Sequence, residues 1–306
     1  MEHLRSRALL IRAIRGFFEE RGSLEVETPA LVRSPGVDAH LDAIAAGDGW
    51  LTTSPEYHMK RLLAAGSGPI FQIGKAWRAG EVGKQHEPEF TLLEWYTPGL
   101  DDHGLMDETE ALVRQSAEAL GLEPAWAAQP FTRITWAEAF YKYLGFRVGE
   151  DPIRRLGLLL RSSGTKSPRN ATGEDLEDLA LALLIQPKLV EPTFVTDWPA
   201  SRAALARLKG DGTVAARFEL YMSGLELCNG YFELSCADEQ RARIEHENER
   251  RVALGKSPYP VDEEFIRSLE TGLPDCAGNA LGIDRLQMAL KGLDDIADVR
   301  SFRVGT

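Results

Sequence analysis

Cysteine is scarce: the 306 residues hold three, Cys228, Cys236 and Cys276. Their odd number and the lack of a CxxC spacing argue against a disulfide framework and a thiolate metal site, and fit reduced thiols in a cytoplasmic protein. Long apolar runs are missing too. No stretch approaches the ~20 residues that span a bilayer. The opening MEHLRSRALLIRAIRGFFEERG carries charges throughout, so neither a membrane partner nor a secretory leader is expected. Positive charge is in deficit, with 35 Lys and Arg against 47 Asp and Glu, a net charge of -12. That balance disfavours a broad nucleic-acid surface, which depends on Lys and Arg. It is compatible with a basic protein partner. Internal repeats and low-complexity segments are absent, and apolar and charged fractions of 43% and 27% allow one or two domains with a large core.

What is present centres on FQIGKAWRAGEVGKQHEPEFTLLEWY, residues 71–96. It reads as two strands around a Gly- and Pro-bearing charged loop. On the return strand Phe90, Leu92, Glu94 and Tyr96 share one face by the period of two. A carboxylate on such a face is costly unless a solvated or ligand-filled cleft lies over it. With Arg78 at one end, the stretch suits a nucleotide beside a cationic small molecule. An exposed hairpin with solvated charges is the other reading.

A second centre is RFELYMSGLELCNGYFEL, residues 217–234. A two-residue turn at Ser223-Gly224 would set Met222 opposite Leu225, Tyr221 opposite Glu226 and Glu219 opposite Cys228. Glu219 and Glu226 then lie diagonally on one face, and a bulge at Asn229-Gly230 would bring Glu233 back to it. Carboxylates so placed repel unless cations neutralise them; Mg²⁺ with phosphates suits two of them and a ligand ammonium the third. An acidic edge strand in solvent is the alternative.

Around these centres the pattern predicts a helix over residues 4–21 capped by Gly22, with Leu10, Ile14, Phe17 and Phe18 inward. SLEVETPALV reads as a strand broken by Pro29, which suits a plain turn or a sheet edge at a subunit contact. A strand at Trp50–Thr53 leads to a helix with Pro55 and Glu56 in its first turn and Met59, Leu62 and Leu63 facing the core. Glu56 complements the helix dipole or receives an ammonium group. Further helices are expected at 103–121, in pieces over 135–190 around a polar loop TKSPRNATG, at SRAALARL, in a polar surface helix ADEQRARIEHENERRVALG and at VDEEFIRSLETG. PDCAGNALGIDR reads as a glycine-punctuated loop into a helix opening near Ala280–Leu281, where backbone N–H groups and Arg285 can approach phosphate or adenine.

Together these residues resemble the catalytic domain of class II lysyl-tRNA synthetases, and more closely their short paralogues, the elongation factor P–(R)-β-lysine ligases. The resemblance covers nearly the whole chain. ETP, the 71–96 stretch and GNALGIDRLQMAL correspond to the three class II motifs; TSPEYHMKRL, EPTFVTDWP and LELCNGYFEL are lysyl-type elements. The resemblance implies an α+β fold: a class II synthetase-like antiparallel sheet flanked by helices, one catalytic domain over 1–306 with a helical insertion at about 135–190, and no anticodon-binding domain. It implies a homodimer joined through the first motif.

For chemistry it implies ATP-dependent formation of an aminoacyl-adenylate from (R)-β-lysine or lysine, and transfer to a lysine of elongation factor P. Arg78 would hold the α-phosphate and Arg285 would flank adenine opposite Phe90, near the γ-phosphate. Ala79, Gly80, Glu81, His86, Glu87, Pro88, Glu89, Glu226, Leu227 and Gly282 complete the implied ATP site, with Mg²⁺ on Glu219 and Glu226. Ser54, Pro55, Glu56, Glu94, Tyr96, Asn229, Glu233 and Ala280 would hold the amino acid. Ser54 and Ala280 stand where the synthetases usually have Ala and Gly, which favours the ligases. Gly80, Glu87 and Phe232 depart from the usual motif residues. A lysine-activating synthetase paralogue acting on tRNA or another amine, and a non-catalytic amino-acid-binding regulator, are the competing readings; transfer RNA is not the expected partner.

Overall fold

The computed structural model describes residues 2–146, 152–165 and 172–302. Its first helix, α1 (Glu2–Glu19), starts and ends two residues before the expected span and buries Leu10, Ile14, Phe17 and Phe18. Gly22, at φ 71°, closes it while Ser23 N donates to Phe18 O at 3.0 Å. SLEVETPALV does not form one broken strand: β1 (Leu24–Glu25) joins the main sheet and β2 (Leu31–Val32) joins a small one with β3 (Ala45–Ala46) and β4 (Gly49–Leu51). Helix α2 (Glu56–Ala64) buries Met59 and Leu63, whereas Leu62, expected inward, is exposed.

The central hairpin is β5 (Ile70–Trp77) and β6 (Glu89–Pro98). Then come α3 (Asp102–Ala119), β7 (Thr132–Thr135) and α4 (Trp136–Leu144). Next are α5 (Pro152–Ser162) and α6 (Gly173–Ala180). Most of the expected polar loop between these two lies outside the described residues. Capping boxes at Thr135/Glu138 and Thr172/Asp175 start α4 and α6. The helices of this region pack Trp136, Phe140, Leu156, Leu160 and Leu176 against Val195 and Trp198 of β8 (Thr193–Pro199).

SRAALARL forms only a short 3-10 turn at Ala200–Arg202. Its helical propensity loses to pairing. Ala206 bridges to Glu233, Arg207 N donates to Phe232 O at 2.9 Å, and β9 (Leu208–Lys209) adds to β10 (Val214–Met222). The chain continues through β11 (Leu225–Phe232), α7 (Ala237–Ala253), α8 (Glu263–Gly272), β12 (Cys276–Gly282) and α9 (Ile283–Lys291). The stretch expected as a glycine-rich loop is thus a strand at the centre of the sheet, and the helix after it opens at Ile283.

The nine-stranded sheet runs β1-β5-β6-β12-β11-β10-β8-β7, with β9 beside β10. It is antiparallel apart from the parallel pairs β1/β5 and β7/β8 at its two ends. Its faces are segregated. Phe71, Leu93, Trp95, Leu281, Cys228 and Leu220 point to one side and pack with α1, α3 and α9 in the main core. The opposite parity carries the polar set. Tyr221 stands opposite Glu226, Asn229 opposite Ala280, Ala280 opposite Glu94, and Gly278 between Tyr231 and Tyr96.

A bulge keeps this set in phase, but not at Asn229-Gly230. Tyr221 pairs with Glu226 and Leu220 with Cys228, so Leu227 is the extra residue; Glu219 consequently faces Asn229 rather than Cys228. Asn229, Tyr231 and Glu233 thereby share the face of Glu226. Gly230 lies on the apolar face, where a Cβ would overlap the Phe218 ring. Gly230→Ala is expected to destabilise the protein by about 1–3 kcal/mol through overpacking. Gly83→Ala, with open space around it, is the control, and a urea midpoint for Gly230→Ala equal to the control's would contradict the close packing.

Candidate active site

A cleft of about 860 Å³ opens over the polar face. Its walls come from the 78–88 loop, the start of α2, the β8–β9 connection and α7. Helix α7, expected on the surface, is therefore a wall. It buries Gln240, Ile244 and Arg251 and presents Glu239, Arg243, His246 and Arg250 to the cleft. Its polar sequence matches a helix whose outer face meets a solvated cavity.

At one end the cleft is lined by Arg78, Glu81, His86, Glu87, Phe90, Glu226, Leu227, Gly282 and Arg285. The Arg78 guanidinium lies 5.0 Å from the Phe90 ring centre and 3.9 Å from Glu81. Its Nε is buried with no hydrogen-bond partner among the described residues, a donor that an anion would satisfy. Gly80 adopts φ 78°. Only glycine does this freely, and the turn it makes sets Glu81 against Arg78.

Arg285, in the first turn of α9, donates to Glu226 O at 3.0 Å and contacts His86 Nε2 at 2.7 Å. Burial first, then the Arg285 charge, lowers the His86 pKa. The ring is therefore neutral, with Nε2 as acceptor toward Arg285. Arg78 and Arg285 thus give this end two guanidinium groups suited to phosphates, set among the carboxylates of Glu81, Glu87 and Glu226.

Glu89 is not part of it: on the opposite sheet face it pairs with Lys75 at 3.0 Å and Arg300 at 3.4 Å. Ala79, Gly80 and Pro88 also lie off the cleft lining, shaping the loop through Arg78 N to Pro88 O at 2.8 Å and Ala79 N to Asp42 O at 2.6 Å.

Glu219 and Glu226 share the floor of this end. Glu219 is buried and held by Arg217 Nη2 at 2.6 Å and by the Tyr221 hydroxyl. Burial, then the Glu226 charge, pushes its pKa up to about 7 against the pull of Arg217. No cluster of three or more His, Cys, Asp or Glu surrounds a metal position among the described residues. Two carboxylates suit a hard cation that arrives with phosphate oxygens and water. Arg217, packed 4.2 Å from the Trp198 ring centre, escaped the sequence reading. Its parity with Glu219 in RFEL was the available signal.

The other end holds carboxylates. Ser54 Oγ donates to Glu94 Oε2 at 2.6 Å, Tyr96 OH donates to Glu94 Oε1 at 2.7 Å, and Glu56 N donates to Ser54 Oγ at 3.1 Å. Ser54, Glu56, Asn229 and Ala280 line the cleft. Pro55 instead caps α2, while Glu94, Tyr96 and Glu233 are buried beneath the lining. Burial, then the neighbouring Glu56 charge, pushes Glu94 up to about 7. Burial pushes Glu233 up to about 8 even though Lys60 pulls it down. Glu233 Oε1 has no hydrogen-bond partner among the described residues. Over these side chains Gly278 is required, because a Cβ would overlap both the Tyr96 ring and Glu233.

Lys60, also missed, lies in this cluster. It is fully buried, with Nζ 2.5 Å from Glu56 and 2.6 Å from Glu233. It follows Glu56 by one helical turn, which is the spacing that could have revealed it.

A sequence profile of the class II tRNA synthetases (D, K and N) matches residues 1–304. The elongation factor P–(R)-β-lysine ligase of Vibrio cholerae is 44% identical over 319 residues, covering 99% of this chain and 95% of that protein. The ligases of that name from Vibrio campbellii and Proteus mirabilis are 44% and 41% identical, with the same coverage. The chain belongs to this ligase family. Class II ligase chemistry joins a carboxylate to the AMP part of ATP and releases pyrophosphate, and both ends of the cleft are suited to it: guanidinium groups around Phe90, carboxylates around Glu94.

The raised carboxylates give a pH dependence with a definite sign. Below about pH 7–8 Glu94 and Glu233 hold protons in the empty site, and an ammonium ligand must expel them. Affinity for lysine should therefore weaken as pH falls from 8 to 6, by roughly tenfold per proton for each unit below the pKa. Calorimetry in buffers of different ionisation enthalpy should register proton release. An affinity constant across that range, with no proton release, would contradict the geometry.

Proposed function

We propose that this ligase activates (R)-β-lysine with ATP and transfers the acyl group to a lysine ε-amine of elongation factor P. The supporting observation is the buried carboxylate set Glu94 and Glu233, with Glu233 Oε1 unpartnered among the described residues, on the same sheet face as the Arg78–Phe90 nucleotide end. A substrate lying along this face places its ammonium groups on the carboxylates and its carboxylate toward Arg78.

Chemistry follows from that placement. A substrate carboxylate oxygen attacks the α-phosphorus, the bond to the bridging oxygen breaks, and pyrophosphate leaves with that electron pair. Arg78 donates to the α-phosphate as negative charge builds, Arg285 and neutral His86 meet the outer phosphates, and Phe90 receives adenine. Mg²⁺ carried with ATP would be held by Glu219 and Glu226 and supply further charge neutralisation. The acceptor amine then attacks the adenylate carbonyl, loses a proton, and AMP leaves. No protein nucleophile is needed: catalysis is positioning plus preorganised charge.

In this reading the chain is one catalytic unit with a helical insertion at about 135–190, acting as a cytoplasmic homodimer, and transfer RNA is not its substrate. Leu24 and Leu31, 58% and 56% exposed on either side of the ETP motif, supply apolar area for the dimer contact. Replacing both with Asp should shift the mass measured by light scattering from dimer to monomer; a wild-type monomer at micromolar concentration would contradict the dimer.

Arg78→Ala should cost about 2.7–4 kcal/mol of transition-state stabilisation, by analogy with loss of one oxyanion donor, read as ATP–pyrophosphate exchange with (R)-β-lysine. Exchange near wild type would remove Arg78 from the mechanism. Intact mass of elongation factor P after incubation tests the acceptor. A wild-type protein that charges tRNA but leaves that factor's mass unchanged would favour the synthetase reading.

A further inference from the structure

Lys60 is a lysine with no access to solvent. A buried ammonium is tolerated only when carboxylates compensate it, and here two do: Glu56 Oε1 at 2.5 Å and Glu233 Oε2 at 2.6 Å. Glu56 is one turn earlier on α2, and Glu233 follows β11. Glu94, the third carboxylate, is held instead by neutral donors, Ser54 and Tyr96. Once an ammonium ligand has expelled the protons of Glu94 and Glu233, three carboxylates and one fixed cation leave this end of the cleft two negative charges in excess. Lys60 also lies against Oε2 of Glu233, and Oε1 has no hydrogen-bond partner among the described residues.

We propose that Lys60 is a specificity-determining residue: its buried ammonium fixes the excess charge of the amino-acid pocket at two and turns Glu56 and Glu233 toward a substrate that carries two ammonium groups. The proposal rests on the amino-acid-activating reading above and deepens it. A diammonium acid matches the excess. An acid with one ammonium leaves a buried carboxylate uncompensated, and that mismatch, more than shape, rejects it. Without Lys60 the pocket holds three unmatched carboxylates, one of which must take a proton or an ion from solution. Selectivity for the second ammonium then declines even though every group that touches substrate is still present.

Equilibrium binding separates this from a purely structural ion pair and does not depend on turnover. The probes are (R)-β-lysine and 3-aminohexanoic acid, which lacks the distal amine, titrated calorimetrically into wild type, Lys60→Met and Lys60→Arg. Wild type should prefer the diammonium acid on the order of 100-fold or more, as a site with buried polar groups left unpaired rejects the analogue. Lys60→Met should bring the preference to about tenfold or below, with ATP affinity within about twofold of wild type because the Arg78 end is untouched. Lys60→Arg, which keeps the charge but moves the donors, should bind both acids more weakly and keep the preference.

An unchanged preference in folded Lys60→Met overturns the proposal. Should Lys60→Met fail to melt cooperatively, Lys60→Arg decides, and loss of preference in a folded Lys60→Arg overturns it. Absence of pyrophosphate exchange by wild type with either acid would defeat the activation reading alone. Equal binding of the two acids by wild type would defeat the charge match itself.

Discussion

Burial of negative charge on one face of the sheet is the constraint to which the rest of the structure answers. Glu94, Glu219 and Glu233 are each nearly inaccessible to solvent. A buried carboxylate without compensation is among the most costly groups a protein can carry. Each is compensated differently: Glu94 by two hydroxyl donors, Glu219 by Arg217 and Tyr221, Glu233 by Lys60. Compensation stays incomplete, as the upward pKa shifts of all three show. Incomplete compensation is what a binding site for cations requires, since a fully satisfied network would have nothing left for a ligand.

The backbone makes this arrangement geometrically possible. Period-two alternation would put Glu226 and Glu233, seven residues apart, on opposite faces. The extra residue at Leu227 reverses that. The strand beside it is then kept nearly bare, with Gly278, Ala280 and Gly282 on the polar parity, so that Glu94, Tyr96 and Glu233 from the flanking strands can lean across it. On the apolar parity, large side chains from α1, α3 and the sheet fill the core. The face that binds and the face that stabilises are separate sets of residues on the same strands.

This separation explains what the sequence revealed. The central hairpin, the turn at Ser223-Gly224 and the long amphipathic helices are local patterns, and they stand where the residues place them. So does the convergence of Arg78, Phe90, Glu226 and Arg285, because parity and motif spacing carry it. Other features were set by partners distant in the chain. SRAALARL is a sound helix by propensity, yet the open edge near Glu233 draws it into extended pairing. The β12 strand is rich in glycine and reads as loop until Tyr96 and Glu233 are known to lie over it. Glu89 has the motif neighbours of an ATP ligand but the wrong parity, and it is committed to Lys75 and Arg300.

Lys60 and Arg217 went unnoticed for a related reason. A lone basic residue in a helix or strand is most often solvated, and neither of these two stands out on its own. What marks them is the acid each one meets: Glu56 a turn away together with Glu233, reached through the sheet, and Glu219 two residues along the same strand face. A site that binds cations through buried carboxylates must contain internal cations of its own, or folding would be opposed by the same charges that later attract the ligand. Searching for those internal cations at i+4 on a helix, or two residues to either side on a strand, from each functional carboxylate turns an electrostatic necessity into a sequence rule, and here it finds both residues.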